Sequence, residues 1–125
     1  MLRHIRPGMK ILITINKDEV APRFDLTSEI QITETKAGKI TGEPRIILLT
    51  GSSGEDICAL AIKENISLLI CGGIEDAHYQ YLKWKKIKVV DGVIGPYEQA
   101  LQSAMKNDLK PGAILPGASI SGEQS

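Results

Sequence analysis

The run MKILITIN at residues 9–16 places Met9, Ile11, Ile13 and Ile15 on one face of a strand, with Leu12 and Thr14 on the other. Successive strand side chains point to opposite faces, so a strand that is apolar on both sides has to be covered on both sides. The central strand of a mixed α/β sheet meets that demand, and the rest of the chain is patterned to supply the cover. EIQITET (29–35) alternates Ile30 and Ile32 with polar residues, which reads as a half-buried strand. KAG (36–38) is a turn signal, and KITGEPRIILLT (39–50) returns as the partner of an antiparallel hairpin, interrupted near Gly42 and Pro44. The polar stretch KDEVAPRFDLTS (17–28), with Pro22, reads as a loop.

After residue 50 the period changes. In GSSGEDICALAIKEN, Ser52 or Ser53 can cap a helix whose first turn carries Glu55 and Asp56, where the macrodipole favours acids. Ile57, Leu60, Ala61 and Glu64 follow at helical spacing. SLLIC (67–71) is a short apolar strand. A helix from about 74 to 84 aligns Ile74, Ala77, His78, Tyr81 and Leu82 on one stripe. IKVV (87–90) is another strand. GPYEQALQSAMKN places Pro96 near the first helical position and puts Tyr97, Ala100, Leu101, Ala104 and Met105 on one face. The order βββαβαβα predicts a five-stranded mixed α/β sheet with the first and fourth strands at its centre. Right-handed crossovers then put helices on both faces. Residues 1–8 read as an extension, 9–110 as a single domain, and the Pro- and Gly-rich 111–125 as a flexible tail.

Composition narrows the function. At 125 residues the chain can bury a core without disulfide support. Its two cysteines, Cys58 and Cys71, are too few for a disulfide framework. Lys and Arg total 15, as do Asp and Glu, which argues against bulk attraction to nucleic acid or an anionic membrane. No apolar run approaches the ~18 residues of a membrane helix, and the first eight residues lack the apolar centre of a signal peptide. A reducing cytoplasm is the expected compartment.

Four stretches invite chemistry. A nuclease of ribonuclease-H-like topology needs carboxylates on its central strand to hold two metal ions. Here that strand carries Ile13, Thr14, Ile15 and Asn16, with Asp18 and Glu19 beyond it. GSSG (51–54) precedes a helix but lacks the Lys-Ser/Thr of a P-loop, and Glu55 and Asp56 would repel a phosphate. YQYLKWKKIK sets Tyr79, Tyr81 and Trp84 among Lys83, Lys85, Lys86 and Lys88. The pattern could stack single-stranded nucleic acid, but a solvated helix end whose lysines answer the dipole is the favoured reading. In LLICGGIEDAH (68–78), Cys71 falls at the carboxyl edge of the sheet, where open α/β sheets bind ligands. Gly72 and Gly73 allow close backbone approach there. A thiol at the amino end of the following helix would have a lowered pKa and could serve as a soft-metal ligand. A buried strand-end cysteine is the alternative, and His78, on the helix's inner stripe, reads as a core or boundary histidine.

Three of these segments, taken in order, resemble the dinitrogenase iron–molybdenum cofactor biosynthesis family. KILITINKDEVAPRFDLTSEIQI is similar to its opening strand, Pro-x-Phe loop and second strand. LLICGGIEDAHYQYLKWKKIKVVDG is similar to its strand, glycine turn, helix and following strand, and YEQALQSAMKNDLKPG to its last helix. The resemblance spans about residues 9–112. It implies a ribonuclease-H-like fold and a non-catalytic carrier or accessory role for an iron–sulfur or molybdenum-containing cluster. Carried over by position, the cluster surface comprises Arg23, Phe24 and Asp25 together with Gly72, Gly73 and Ile74, with Cys71 as the metal ligand. The implied partners are cluster-assembly proteins or a recipient metalloprotein, with a homodimer able to share the cluster. This chain departs from the family in carrying Arg23 where many members have histidine and Asp25 where glycine is common. It also reads Leu115-Pro116-Gly117-Ala118 in the stretch where some relatives have Pro-Gly-Cys. These departures support a second expectation, a regulatory or interaction module that kept the fold and lost the metal.

Overall fold

A computed structural model describes residues 8–51 and 54–118. It contains six strands, β1 (Met9–Asn16), β2 (Glu19–Val20), β3 (Glu29–Lys36), β4 (Lys39–Leu48), β5 (Leu68–Ile70) and β6 (Lys88–Val90). Three helices accompany them: α1 (Gly54–Lys63), α2 (Asp76–Trp84) and α3 (Tyr97–Met105). The sheet runs β4-β3-β1-β5-β6, with β2 paired to the end of β1. β1 is antiparallel to β3 and parallel to β5, and β5 is parallel to β6, so the sheet is mixed and β1 is central, as its two apolar faces require.

Each face of β1 feeds a separate core. Leu12 joins Ile30, Ile32 and Leu69 under Ile57, Cys58 and Ala61 of α1 and Leu82 of α2. Ile11, Ile13 and Ile15 join Leu68, Ile70 and Val90 under Ala100, Leu101 and Ala104 of α3. Helices therefore cover both faces. Thr14 sits on the same strand fully buried, and among the described residues its Oγ1 finds no hydrogen-bond partner. Thr14→Val removes that unsatisfied hydroxyl at nearly constant volume and is expected to raise stability by about 1 kcal/mol, read as a higher urea midpoint.

The sheet differs from the sequence expectation in three places. The loop expected over 17–28 opens with a tight hairpin. Lys17 takes φ 59°, and Val20 and Glu19 pair with Ile15 and Asn16 to form the sixth strand. The break expected near Gly42 and Pro44 is a bulge: the register slips between Ile32↔Arg45 and Glu34↔Thr41, and Gly42 takes φ 72°. The tail expected from residue 111 instead folds back as far as Ala118. Ile114 bridges Ile94, the Leu115 amide donates to the Ile94 carbonyl at 2.8 Å, and the Leu115 side chain is buried against α3's core. The proposed serine caps at Ser52 and Ser53, the extension over 1–7 and the tail beyond 118 lie outside the described residues.

Candidate functional site

Two loops leave the sheet at the carboxyl end of β5 and beside the end of β1, and they meet. Residues 21–27 follow β2, with a 3-10 turn at Phe24–Leu26, and residues 71–75 join β5 to α2. Arg23 and Gly73 form a parallel bridge. The Phe24 amide donates to the Gly73 carbonyl and the Gly73 amide to the Pro22 carbonyl, both at 2.8 Å. A third segment closes the rim, where the Gly92 amide donates to the Gly72 carbonyl and the Val93 amide to the Cys71 carbonyl. Gly72 makes the junction possible: a Cβ there would run into the backbone oxygens of Ala21 and Pro22.

The structure thus brings Arg23 to Gly73, fifty positions away, and opens a cleft of about 300 Å³ beside Arg23, lined also by Asn16, Pro22, Leu26, Ser28 and Glu29. The Arg23 guanidinium is exposed and forks onto Asp25, with Nε to Oδ1 at 3.2 Å and Nη2 to Oδ2 at 2.9 Å. That pair raises the arginine pKa and holds the Asp25 carboxyl below its ordinary range, chiefly through the hydrogen bond between them. Arg23 and Asp25 thus offset each other, and Glu29 adds a carboxylate to the cleft wall.

Of the other expected site residues, Gly73 is exposed beside Arg23, and the rest turn inward. Cys71 is 0 % exposed and belongs to the core under α1 and α2. The lowered thiol pKa expected at a strand end is overturned, because burial pushes the Cys71 thiol well up and the negative charges of Asp91 and Cys58 add to the shift. Phe24 is also fully buried and anchors its loop rather than facing a guest. Gly72 is buried, and the Gly73 amide is already spent on the Pro22 carbonyl. Ile74 is half-buried against the same core. In native protein Cys71 is expected to resist a thiol reagent until global unfolding. Cys58, which lines a cleft but has its pKa pushed up to about 11 by burial and Glu55, should react first. Its rate should be about a hundredfold below that of an unperturbed thiol, the loss of thiolate that two pH units imply. Timed alkylation read by mass spectrometry checks the order.

On α2, the expected inner stripe is narrower than its spacing suggests. Leu82 alone is buried, His78 is half-buried, and Tyr81 faces solvent. Trp84 is 69 % exposed. The lysine ammoniums rest over the protein's own rings, Lys83 over Tyr79 at 5.3 Å and Lys85 over Trp84 at 4.7 Å. Sequence reasoning passed over Cys58 and Gly54 as functional residues. They meet His78 only through the packing of α1 on α2, which no local pattern announces. Among the described residues no three His, Cys, Asp or Glu side chains gather closely enough to hold a metal ion, and no helix is long and apolar enough to cross a membrane.

The family model for dinitrogenase iron-molybdenum cofactor matches residues 9–107. No curated protein matches the chain. Among solved structures, the crystal structure of PH0822 superposes with a TM-score of 0.74 at 16% identity, covering 82% of this chain and 94% of that one. MJ0327 of Methanocaldococcus jannaschii gives 0.68 at 20% identity, covering 83% and 94%. The apo form of the orange protein from Desulfovibrio gigas gives 0.66 at 19% identity, covering 95% and 100%. At these identities the likeness is one of fold.

Proposed function

This chain belongs to the dinitrogenase iron-molybdenum cofactor family, and from that premise we propose that it is a non-catalytic carrier or accessory protein whose cargo is an iron–sulfur or molybdenum-containing cluster. The strand order β4-β3-β1-β5-β6 is the arrangement we assign to the ribonuclease-H-like class. The observation that carries the reading is the Arg23–Gly73 bridge, which sets two loops from distant parts of the chain side by side at the carboxyl edge of the sheet with a cleft at Arg23. Open sheets place their ligands at such an edge. Arg23 is the cation offered to an anionic cargo there, released from Asp25 as the cargo docks. Cys71 contributes a thiolate only if loading lifts the 71–73 turn off Pro22. Weak holding by one rim suits a protein that passes its cargo on to assembly proteins or a recipient metalloprotein in the cytoplasm, and a second copy of the chain would supply the ligands that one rim lacks.

Anaerobic incubation with iron, sulfide and thiomolybdate, followed by desalting and absorption spectroscopy, is expected to give coloured protein. Arg23→Ala should lose most of the colour while leaving the melting temperature nearly unchanged, since the Arg23–Asp25 pair is solvent-exposed. Colourless wild-type protein would overturn the carrier role. The sealed thiol at Cys71 favours one other reading, a regulatory or interaction module without cargo. It predicts partners captured equally by wild type and by a folded Cys71→Ser variant.

A further inference from the structure

Away from the Arg23 rim, α1 and α2 enclose a second cleft of about 360 Å³, lined by Glu55, Cys58, Ala59, Ala77, His78 and Tyr81. At its inner wall the Cys58 sulfur lies 3.9 Å from Nδ1 of His78. The imidazole is held from three sides. Its Nε2 points toward the Glu75 carboxylate at 3.8 Å, one turn back on the same segment. The Phe24 ring lies 5.6 Å away at an interplanar angle of 48°. Gly54 opens α1 beneath it, where a Cβ would come within 2.6 Å of Nε2. The missing side chain of Gly54 makes the room for the ring.

We propose that Cys58 and His78 form a binding site for one thiophilic d10 metal ion, reached through the α1–α2 cleft. In the tautomer with its proton on Nε2 the Nδ1 lone pair faces the cysteine, and Glu75, at 3.8 Å beyond hydrogen-bond reach, would have to close in to orient the ring as carboxylates do in metal sites. With metal–sulfur near about 2.3 Å and metal–nitrogen near about 2.0 Å, a 3.9 Å separation subtends roughly 130° at the metal. That angle is wider than tetrahedral, far from the linear arrangement of a two-coordinate ion, and close to the trigonal arrangement of three donors. Cys58 and His78 supply two of the three. The remaining position faces the cleft and is left to water or to an external thiolate. Binding breaks the Cys58 S–H bond, forms the S–metal bond and releases the proton to solvent, with no change of oxidation state. Thiolate plus imidazole selects zinc, cadmium or copper(I) over magnesium or calcium.

The test uses the full chain and cadmium(II) alone, without iron, sulfide or molybdate, so its failure leaves the Arg23 rim reading untouched and the reverse also holds. One equivalent is expected to produce an ultraviolet thiolate-to-cadmium band and to shift the ring nitrogens of one of the two histidines, assigned by its loss in His78→Gln. Cys58→Ser, with folding checked by circular dichroism, should abolish the band, and Glu75→Gln should weaken binding about tenfold. Should Cys58→Ser fail to fold, wild-type protein decides, because bound cadmium is expected to protect Cys58 selectively from alkylation. A band that survives in folded Cys58→Ser, an unmoved His78 ring, or a Cys58 that alkylates equally with and without cadmium would each overturn the site.

Discussion

Phe24→Ala is expected to destabilise the protein by about 3–5 kcal/mol, the cost of emptying a fully buried aromatic site that the surroundings refill only in part. The ring is entirely sealed and packs in the core with Leu12 of β1, Ile30 of β3 and Cys71 at the end of β5. It also forms the wall against which His78 rests. It is the one large apolar side chain that ties the 21–27 loop to the interior, since neighbouring Leu26 is exposed. Urea denaturation followed by far-ultraviolet circular dichroism should show the midpoint falling with little change in slope. Phe24→Leu, which keeps most of the volume, should lose about 1.5 kcal/mol or less. A folded Phe24→Ala variant as stable as wild type would show that the residue is not an anchor and would return it to the surface role that the family resemblance implies.

The contrast at Phe24 marks where sequence reasoning reaches and where it stops. The alternation in 29–35, the two-faced run at 9–16 and the helical spacing in 54–63 and 97–105 are local signals of burial, and each element forms where its pattern lies. The pairing of the 23–25 loop with the 71–73 turn came only through resemblance, because a bridge between Arg23 and Gly73 leaves no periodic trace. Burial of Cys71 was one of two readings that its place in the sequence left open. Strand-end position suggests an open edge, but α1 and α2 close over it, and helix packing is a property of the assembled layers. The stretch KPGAILPG looked like a tail from its prolines and glycines. One buried side chain, Leu115, together with backbone hydrogen bonds from Leu115 to Ile94 and from Ile94 to Ala113, outweighs that composition.

Gly72→Ala is expected to damage both fold and site, whereas Gly73→Ala next to it should be nearly silent. Neither glycine needs a left-handed conformation, so the difference rests on space alone. A Cβ at Gly72 would meet the Pro22 carbonyl oxygen at 2.7 Å and its carbon at 2.9 Å, as well as the Ala21 oxygen. These are backbone atoms with no rotamer to yield, so the two loops must part. Parting stretches the Phe24–Gly73 and Gly73–Pro22 hydrogen bonds, each now 2.8 Å. Steric strain of about 1–3 kcal/mol plus about 1 kcal/mol for each of the two weakened bonds sets the expected loss at roughly 3–5 kcal/mol. At Gly73 the nearest approach is an ordinary 3.4 Å to the Pro22 oxygen, and the change should stay within about 0.5 kcal/mol. The same movement unseals the neighbouring Cys71, so its alkylation under native conditions should speed up in Gly72→Ala and not in Gly73→Ala. If the cargo sits on this rim, thiomolybdate loading falls with Gly72→Ala and persists with Gly73→Ala. Equal stability and equal thiol reactivity in the two variants would mean that the junction of the loops does not hold the rim together.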